Sequence, residues 1–333
     1  MTKLVLPLYG EVTTLQRLLP NNLHLGRRTE AGVGYYRGLR DLLERGEGAI
    51  CPGWFLTSDN CKFQVNCYAC TCFNSPAFRM NIPAVLYKFY EPLLWAQIKH
   101  GPRPHHIGLI VDGNRRFAKG QGLAPNDGHN AGSKKLEDFL RWCWRLDIRI
   151  VTLYGFSTEN YKRSDKEVQY LMDLILRKLR QYQIDPVIKK EKVRINVLGQ
   201  RNNLSDEMVE EIVKTEELTR NHNRFLLNIA ISYGGRAEIV DAVRKIGEEI
   251  RDGNLLPEEI DEKIFESYLY TEGIPDPDLI IRTSGEERLS GFLLWQSAYS
   301  ELYFTEVYWP AFRMIDFWRA IRVYQQRERR FGK

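Results

Sequence analysis

The sequence predicts an α/β protein with a mostly parallel sheet that helices cover on both faces. From about residue 104 onward, short apolar runs alternate with amphipathic stretches, a pattern typical of repeated strand–helix units. Polar segments follow the apolar runs, and the carboxyl ends of parallel strands are where such sheets bind ligands. We therefore expect one α/β domain over residues 80–333 and, because residues 1–79 lack periodicity, an N-terminal extension of uncertain structure over residues 1–79.

The period of the apolar residues predicts each element in turn. Short apolar runs predict strands, and apolar residues that repeat every three or four positions predict helices. The predicted strands cover residues 107–111, 148–154, 193–198, 225–232 and 279–282. The predicted helices cover residues 134–146, 167–182, 207–219, 237–251, 259–268 and 315–327.

Composition and charge narrow the class of function. The chain has 43% hydrophobic and 27% charged residues, which is typical of a soluble globular protein. Its net charge is +5, but bases and acids are interspersed, so a small anionic ligand is favoured over nucleic acid. No secretory signal or membrane-spanning segment is evident, so we expect a cytoplasmic protein. The aromatic-rich stretch 82–98 is compatible with contact with a membrane surface, but a helix packed on the domain is preferred.

Five of the six cysteines lie within residues 51–72, inside the N-terminal extension. The spacing of Cys67, Cys70 and Cys72 is compatible with zinc or an iron–sulfur centre, but the window has no second matching pair and no histidine. Residues 1–79 are either a genuine appendage, disordered or folded, or the translation of a start codon placed too early. The second interpretation is preferred, and native peptides that map upstream of Met80 would contradict it.

The segment 107–116 carries the most specific chemical signal. An apolar run ends at Asp112, and Gly113, Asn114, Arg115 and Arg116 follow. A carboxylate beside fixed cations and free backbone N–H groups suits a diphosphate with its Mg²⁺. Taken alone, the segment is equally compatible with an ordinary surface turn followed by two solvated arginines.

Further polar segments follow other predicted strands, at residues 155–163, 233–236 and 282–290. Arginine binds diphosphate oxygens bidentately, so these segments predict two anion sites on one edge of the sheet. Arg115, Arg116 and Arg163 would serve one site, and Arg282 and Arg288 the other. No P-loop lysine motif occurs in the sequence, which disfavours phosphoryl transfer from a nucleotide.

The same polar segments form a set of long motifs that occur in a fixed order. They read HHIGLIVDGNRRFA, TLYGFSTENYKR, LNIAISYGGR, DLIIRTSGEERLSGFLLWQSAYSELYF and RERRFG. From about residue 82 to the C-terminus the chain therefore resembles the cis-prenyltransferase family, the undecaprenyl or polyprenyl diphosphate synthases, and its archaeal members most. The resemblance implies a Mg²⁺-dependent homodimer that condenses isopentenyl diphosphate with a C15 or C20 allylic prenyl diphosphate. The product would carry Z double bonds and serve as a precursor of a glycosyl-carrier lipid.

The resemblance also implies roles for individual residues. Asp112 would hold Mg²⁺ on the allylic diphosphate and assist its departure, Glu301 would complete the metal site across a dimer interface, and Asn160 would lie near the proton lost from the acceptor. The allylic substrate would contact Gly113, Asn114, Arg115, Arg116, Phe117, His129 and Arg163. The reacting centre would be lined by Ser157, Thr158, Glu159, Asn160 and Tyr161. Isopentenyl diphosphate would contact Arg282, Arg288, Leu289 and Ser290, and the neighbouring subunit would supply Arg330 and Gly332.

The growing chain would need an apolar tunnel, for which helix 167–182 and strands 148–154 and 193–198 are candidates. Gly155 is small where bulk would close such a tunnel, which favours a long product. Two positions depart from the family pattern. Pro125 stands where an arginine is usual, so the allylic diphosphate loses a cation and the choice of primer is left open. Glu287 stands where bacterial members often have histidine.

Two alternatives remain open at this point. One is a homologue with a non-standard acceptor or a short product, which the loss of the arginine at position 125 would allow. The other is a non-catalytic partner subunit of a heterodimer, against which the joint presence of Asp112, Asn160, Arg282, Arg288 and Glu301 argues.

Overall fold

The computed structural model describes residues 49–51, 54–56 and 84–327. The chain divides into two units, Met1–Phe73 and Asn74–Lys333. In the first unit, strand β1 (Ala49–Cys51) pairs antiparallel with β2 (Trp54–Leu56). The cysteine spacing at residues 67–72, the choice between an appendage and an early start codon, and the tail with Arg330 and Gly332 lie outside the described residues.

The second unit is built on a six-stranded sheet in the order β5-β6-β4-β3-β7-β8, and every neighbouring pair is parallel. Its strands are β3 (His106–Ile110), β4 (Ile150–Ser157), β5 (Val193–Leu198), β6 (Phe225–Tyr233), β7 (Leu279–Arg282) and β8 (Glu301–Phe304). Its helices are α1 (Ala84–Ile98), α2 (Asn114–Gly120), α3 (Pro125–Arg145), α4 (Asp165–Ile184), α5 (Pro186–Lys190), α6 (Asp206–Thr219), α7 (Gly235–Arg251), α8 (Glu262–Ser267) and α9 (Met314–Gln326). The predicted parallel α/β fold is confirmed.

The two faces of the sheet pack against different sets of side chains, because successive residues of a strand point to opposite faces. Ile107 and Leu109 of β3 belong to the larger apolar core, with residues of α3, α4, α6 and α9. Ile110 of β3 and Tyr154 of β4 belong to a smaller cluster on the other face, with Phe292 and Leu293. The central strands are buried on both sides, as expected of a parallel sheet.

The aromatic helix α1 packs on the domain, which was the preferred interpretation of residues 82–98. Leu94 and Ile98 are buried in the core, and Trp95 packs against Trp318 of α9 with ring centroids 5.1 Å apart and the rings tilted by 37°. The guanidinium of Arg145 lies 4.3 Å from the centroid of the Trp95 ring. None of the described helices combines the length and the apolar character needed to cross a membrane.

Elements α2, α3 and β8 differ from the sequence-based prediction, and the short helix α5 was not predicted either. Helix α3 begins at Pro125 rather than at residue 134, because proline suits the first helical position and the glycines that follow it pack closely against α2. Helix α2 was interpreted as a turn only, although it covers seven residues. The edge strand β8 was not predicted, since its four residues are all only partly buried and give no run of core residues.

The strand order places a ligand site between β3 and β7. From β3 the chain moves to β4 on one side, and from β7 it moves to β8 on the other. Adjacent parallel strands whose connections leave in opposite directions open a crevice beyond their carboxyl ends. Asp112 follows β3 and Arg282 ends β7, so both side chains lie at this crevice.

Candidate active site

A polar cavity of about 900 Å³ opens at the carboxyl ends of β3, β4 and β7. Six basic side chains and three carboxylates line it together with His129. The basic residues are Arg115, Arg116, Lys119, Arg163, Arg282 and Arg288, and the acidic ones are Asp112, Glu159 and Glu286. The excess of positive charge in a concave site favours an anionic ligand.

Asp112 and Arg282 form the central ion pair of the polar cavity. Arg282 Nη2 lies 2.9 Å from Asp112 Oδ2, and Arg116 Nη2 lies 3.5 Å from the same oxygen. Burial alone would raise the pKa of the Asp112 carboxyl, but the hydrogen bond and charge of Arg282, with smaller effects of Gly113 and Arg116, hold the pKa below its ordinary value. Asp112 is therefore ionised at neutral pH.

Arg282 is itself held by the loop that follows β7. Its Nη1 donates to Ser290 Oγ at 2.8 Å and to the carbonyl of Arg288, and the side chain is only 5% exposed. The buried Nε has no hydrogen-bond partner within the described residues, so it can still donate to a ligand. Tyr154 fixes the same loop, because its hydroxyl donates to the carbonyl of Ser290 at 3.2 Å.

Glu286 joins the two halves of the polar cavity. Its carboxylate lies 3.2 Å from Arg116 Nη1 and also binds Arg288. Arg116 belongs to the predicted allylic site and Arg288 to the predicted isopentenyl site, so one carboxylate holds a cation of each. A diphosphate that enters either site would compete with Glu286 for these guanidinium groups.

A second carboxylate, that of Glu167 on α4, organises the other cations. It lies 2.9 Å from Arg163 Nη1, 3.4 Å from Arg115 Nη1 and 3.4 Å from His129 Nε2. Burial and the charges of Arg163 and Arg115 lower the pKa of His129, although Glu167 opposes them. His129 is therefore a neutral side chain at physiological pH.

Two glycines of α3 allow α2 to approach closely and so position Asn114. A Cβ at Gly128 would lie 2.1 Å from the carbonyl oxygen of Asn114, and one at Gly132 would lie 2.3 Å from Asn114 Oδ1. The buried Asn114 Oδ1 has no hydrogen-bond partner within the described residues. Gly113 has φ +98°, a conformation that favours glycine, and it turns the chain from β3 into α2.

Asn160 lies in the short 3₁₀ helix that follows β4. Its Oδ1 accepts from the backbone N–H of Ser157 at 3.2 Å, which leaves the amide Nδ2 to donate into the polar cavity. Tyr161 in the same turn faces elsewhere, since its hydroxyl donates to the carbonyl of Asn203 at 3.1 Å and its ring packs on Phe156.

An apolar cavity of about 120 Å³ adjoins the polar cavity. The two share Val111, Asn114, His129, Gly155 and Leu171. The apolar cavity continues between α3 and α4 over the sheet, where it is lined by Leu136, Leu153, Leu174, Ile175, Lys178, Leu179, Tyr182, Ile229 and Trp309 with Gly132 and Ser133. Helix 167–182 and strand 148–154 thus contribute to it, but strand 193–198 does not, because β6 separates β5 from β4.

Most of the residues that the resemblance singled out come together in the polar cavity. Those that line it are Asp112, Gly113, Asn114, Arg115, Arg116, His129, Ser157, Glu159, Asn160, Arg163, Arg282, Arg288 and Ser290. Phe117, Thr158, Tyr161 and Leu289 do not line it. Thr158 instead packs against Gly234, and Leu289 packs against the smaller apolar cluster.

Glu301 does not approach Asp112 within one chain. It pairs in register with Leu279 at the start of β7, whereas Ile110 and Phe304 are level with Arg282 at the other end. Asp112 therefore lies roughly 16 Å further along the strand direction, at about 3.3 Å per residue. The Glu301 carboxylate binds Arg327, and its role across a dimer interface stays a prediction.

Several residues of the site were missed by sequence reasoning. Lys119 follows Arg115 by one helical turn, a spacing that would have placed it on the same face of α2 had that helix been predicted. Glu167 was assigned only to the start of a predicted helix. Its side chain turns instead to the cations of the cavity. Tyr154 was assigned only to a strand.

Comparisons with known proteins agree with this geometry. Residues 110–332 match the family model described as undecaprenyl diphosphate synthase. A tritrans,polycis-undecaprenyl-diphosphate synthase (geranylgeranyl-diphosphate specific) from Thermoplasma acidophilum is 51% identical over 246 residues, which cover 74% of this chain and 95% of the relative. An isoprenyl transferase from Thermus thermophilus is 50% identical over 252 residues, which cover 74% of this chain and 96% of the relative.

A solved structure extends the similarity to the fold. The crystal structure of lavandulyl diphosphate synthase from Lavandula x intermedia, in complex with dimethylallyl diphosphate, superimposes with a TM-score of 0.67. It is 34% identical and covers 69% of this chain and 99% of the plant protein. On sequence, fold and site, the chain belongs to the undecaprenyl diphosphate synthase family of cis-prenyltransferases.

Proposed function

We propose that this enzyme lengthens an allylic prenyl diphosphate with isopentenyl diphosphate and forms Z double bonds, giving a long polyprenyl diphosphate for use as a glycosyl-carrier lipid. The observation that carries the proposal is the adjacency of a cation-rich polar cavity and an apolar cavity. A prenyl diphosphate matches this pair of cavities, because its charged diphosphate suits the polar cavity and its isoprenoid tail suits the apolar cavity.

The allylic diphosphate is proposed to bind at Arg115, Arg116 and Arg163, on the side of the polar cavity next to the apolar cavity. His129 and Asn114 line both cavities, so they mark where the head meets the tail. Isopentenyl diphosphate is proposed to bind at Arg282, Arg288 and Ser290, where the buried Nε of Arg282 lacks a partner among the described residues. The two anions would then lie on either side of Asp112.

The reaction breaks the allylic C–O bond, and the diphosphate leaves with the bonding electrons. The isopentenyl double bond supplies the electrons of the new C–C bond, and loss of a proton from C2 of the isopentenyl unit forms the new Z double bond. Arg115, Arg116 and Arg163 stabilise the charge that develops on the leaving diphosphate. Fixed donors of this kind are worth roughly 3 kcal/mol each in the transition state.

Mg²⁺ is the proposed cofactor, and Asp112 is the residue that would hold it. Among the described residues no group of three or more His, Cys, Asp or Glu side chains could form an all-protein metal site. Mg²⁺ commonly binds through one or two carboxylates together with substrate phosphates, so a single ionised carboxylate beside a diphosphate site fits it. When bound, the ion would neutralise charge on the allylic diphosphate.

A C20 primer is preferred over a C15 primer in this proposal. The relative from Thermoplasma acidophilum is named as geranylgeranyl-diphosphate specific. Pro125 begins α3 and supplies neither a cation nor an N–H donor, so the proposed primer site lacks the contribution that an arginine at this position would make.

A homodimer is proposed as the working form. Exposed apolar side chains favour contact with a second copy, since Val240 of α7 is 47% exposed, Val243 of α7 56% and Tyr299 77%.

Contact with a membrane surface is proposed at α1, where Leu93 is 63% exposed. Light scattering at micromolar concentration and sedimentation with lipid vesicles test these two proposals separately.

The function is tested by incubating the full chain with labelled isopentenyl diphosphate, Mg²⁺ and each of the C10, C15 and C20 primers. We expect label in long polyprenyl products, most rapidly with the C20 primer, and Z geometry at the new double bonds by NMR. Absence of incorporation with every primer would contradict the proposal and favour a non-catalytic subunit.

A further inference from the structure

Five of the six basic side chains that line the polar cavity are paired with carboxylates. Glu167 binds Arg115 and Arg163, Glu286 binds Arg116 and Arg288, and Asp112 binds Arg282. Lys119 is the sixth basic residue, and no carboxylate of the described residues lies within ion-pair distance of its ammonium group. Within the described part of the chain, its charge is therefore the one in this lining that a ligand meets without a protein counter-ion.

Lys119 lies in the last turn of α2, on the same face as Arg115 and Arg116. It follows Arg116 by three residues and Arg115 by four, and side chains with this spacing are neighbours on a helix surface. At about 1.5 Å per residue, Lys119 lies about 6 Å further along α2 than Arg115. The residue is exposed, and its ammonium group ends a long flexible side chain. Its reach therefore includes a diphosphate that Arg115 and Arg116 hold.

An unpaired cation and a paired cation differ in what a diphosphate must replace. To bind Arg115 or Arg163, the ligand displaces the Glu167 carboxylate, so the lost ion pair offsets part of the new attraction. To bind Lys119, the ligand displaces only water. An unpaired charge also attracts an approaching anion over a longer distance than a charge that a nearby carboxylate largely cancels. Lys119 is therefore suited to the first contact with an incoming diphosphate.

We propose that Lys119 binds the allylic diphosphate and is the first cation of the polar cavity to contact it. The proposal rests on the proposed function and deepens it. The diphosphate meets Lys119 first, and Arg115 and Arg116 then exchange their carboxylate partners for phosphate oxygens. Isopentenyl diphosphate does not use Lys119, because its proposed site at Arg282 and Arg288 is built from the end of β7 and the loop after it.

Steady-state kinetics with each substrate varied in turn tests which diphosphate Lys119 contacts. In the full-length Lys119→Gln variant with Mg²⁺, we expect the KM for the C20 primer to rise about fivefold or more, because a charge-assisted contact is lost. The KM for isopentenyl diphosphate should not change. The larger part of the effect should be on the primer KM rather than on kcat, since the contact forms before the chemical step.

A binding measurement without turnover isolates the first contact. Trp309 lines the apolar cavity, so the arrival of a prenyl tail is expected to change the tryptophan fluorescence. Stopped-flow mixing with geranylgeranyl thiolodiphosphate, in the absence of isopentenyl diphosphate, should show slower association in Lys119→Gln than in the wild type. Added salt should slow the wild type more than the variant, because salt screens the attraction that the variant has lost.

Two further variants separate this role from a structural one, since a cation in the last turn of a helix also stabilises the helix. Lys119→Arg keeps the charge and should bind the primer with nearly the wild-type KM. Lys134→Gln removes the charge of another exposed lysine, on α3, that lines neither cavity. It should change neither the primer KM nor the association rate.

An unchanged primer KM in Lys119→Gln, a larger rise in the KM for isopentenyl diphosphate, or an equal change in Lys134→Gln would each overturn the proposal. Association as fast in Lys119→Gln as in the wild type would refute the first contact. If Lys119→Gln does not fold, as judged by circular dichroism, Lys119→Met takes its place with the same expected result. No elongation by the wild-type chain refutes the proposed function, whereas normal elongation with an unchanged primer KM in the variant refutes only the role of Lys119.

Discussion

The polar and apolar cavities share a wall, but they are built from different parts of the fold. The polar cavity is lined mainly by residues that follow strands β3, β4 and β7, and its arginines are held by carboxylates such as Glu167 and Glu286. The apolar cavity is lined by helix and strand residues of the ordinary core type. In the proposed function, charge placed at and just after the strand ends performs the chemistry, and space left between packed elements receives the product.

The largest expected effect comes from the charge at the centre of the polar cavity. We expect Asp112→Asn to lower kcat by about 100-fold or more, since one electrostatic group at a reacting centre is worth roughly 3 kcal/mol. The variant keeps the shape of the side chain. Steady-state incorporation of isopentenyl diphosphate measures the effect.

The matched control for that variant is Asp138→Asn. Asp138 lies on α3, binds Lys135 at 3.3 Å and lines neither cavity. It should retain wild-type kcat, and both variants should melt within a few degrees of the wild type. Near-normal turnover by Asp112→Asn would refute the central role of this carboxylate.

The next largest effect is expected at the isopentenyl site. Arg282→Gln should raise the KM for isopentenyl diphosphate about tenfold or more, because a hydrogen bond to a charged group contributes roughly 1.5–3 kcal/mol. The acid limb of kcat/KM should also move to higher pH. Asp112 is active when ionised, above its pKa, and without Arg282 burial raises that pKa.

Arg244→Gln is the control for this measurement, since Arg244 is exposed on α7 and pairs with Asp241. Its pH profile and KM should match the wild type. A pH profile of Arg282→Gln that coincides with that of the wild type would mean that Arg282 does not keep Asp112 ionised.

A smaller effect on rate, but a clear effect on product, is expected in the apolar cavity. Leu174→Phe adds bulk to its lining, so it should shorten the most abundant product and raise the KM for the C20 primer. Leu176→Phe changes a neighbouring residue of α4 that packs on the core without lining the cavity. Equal product lengths in the two variants would show that the apolar cavity does not receive the chain.

The smallest effect is expected from restoring the cation that the family usually has at position 125. Pro125→Arg should lower the KM for the allylic primer by about two- to fivefold, because an exposed charge contributes up to about 1 kcal/mol. A slightly lower melting temperature should accompany it, since a cation is unfavourable at a helix N-terminus. A primer KM that does not fall would show that position 125 does not reach the diphosphate.

The contrast between the cavities also explains what the sequence could predict. Asp112 and Arg282 were found because each ends an apolar run, and parallel strands bring such ends to one edge. Lys178 and Leu174 could not be assigned to a channel, because the same spacing describes a helix face that simply packs on a sheet. Periodicity specifies which face is inward, but not whether the space beneath it is filled.

The remaining errors have local causes. The start of α3 was missed because Gly128 and Gly132 have low helix propensity. Glycine is required at both positions by the close packing of α3 on α2. Glu301 is not one of these errors: the resemblance implied that it completes the metal site across a dimer interface, and its position away from Asp112 within one chain leaves that role a prediction. The register in which β7 and β8 pair cannot be predicted from the local sequence of either strand.

The most direct test of the central claim is a structure of the wild-type chain with Mg²⁺, isopentenyl diphosphate and a geranylgeranyl thiolodiphosphate that reacts slowly. The account predicts that the allylic diphosphate binds among Arg115, Arg116 and Arg163 and that its tail enters the apolar cavity between α3 and α4. A diphosphate bound there with its tail directed away from Leu171 and Leu174, or no density among the arginines, would contradict it.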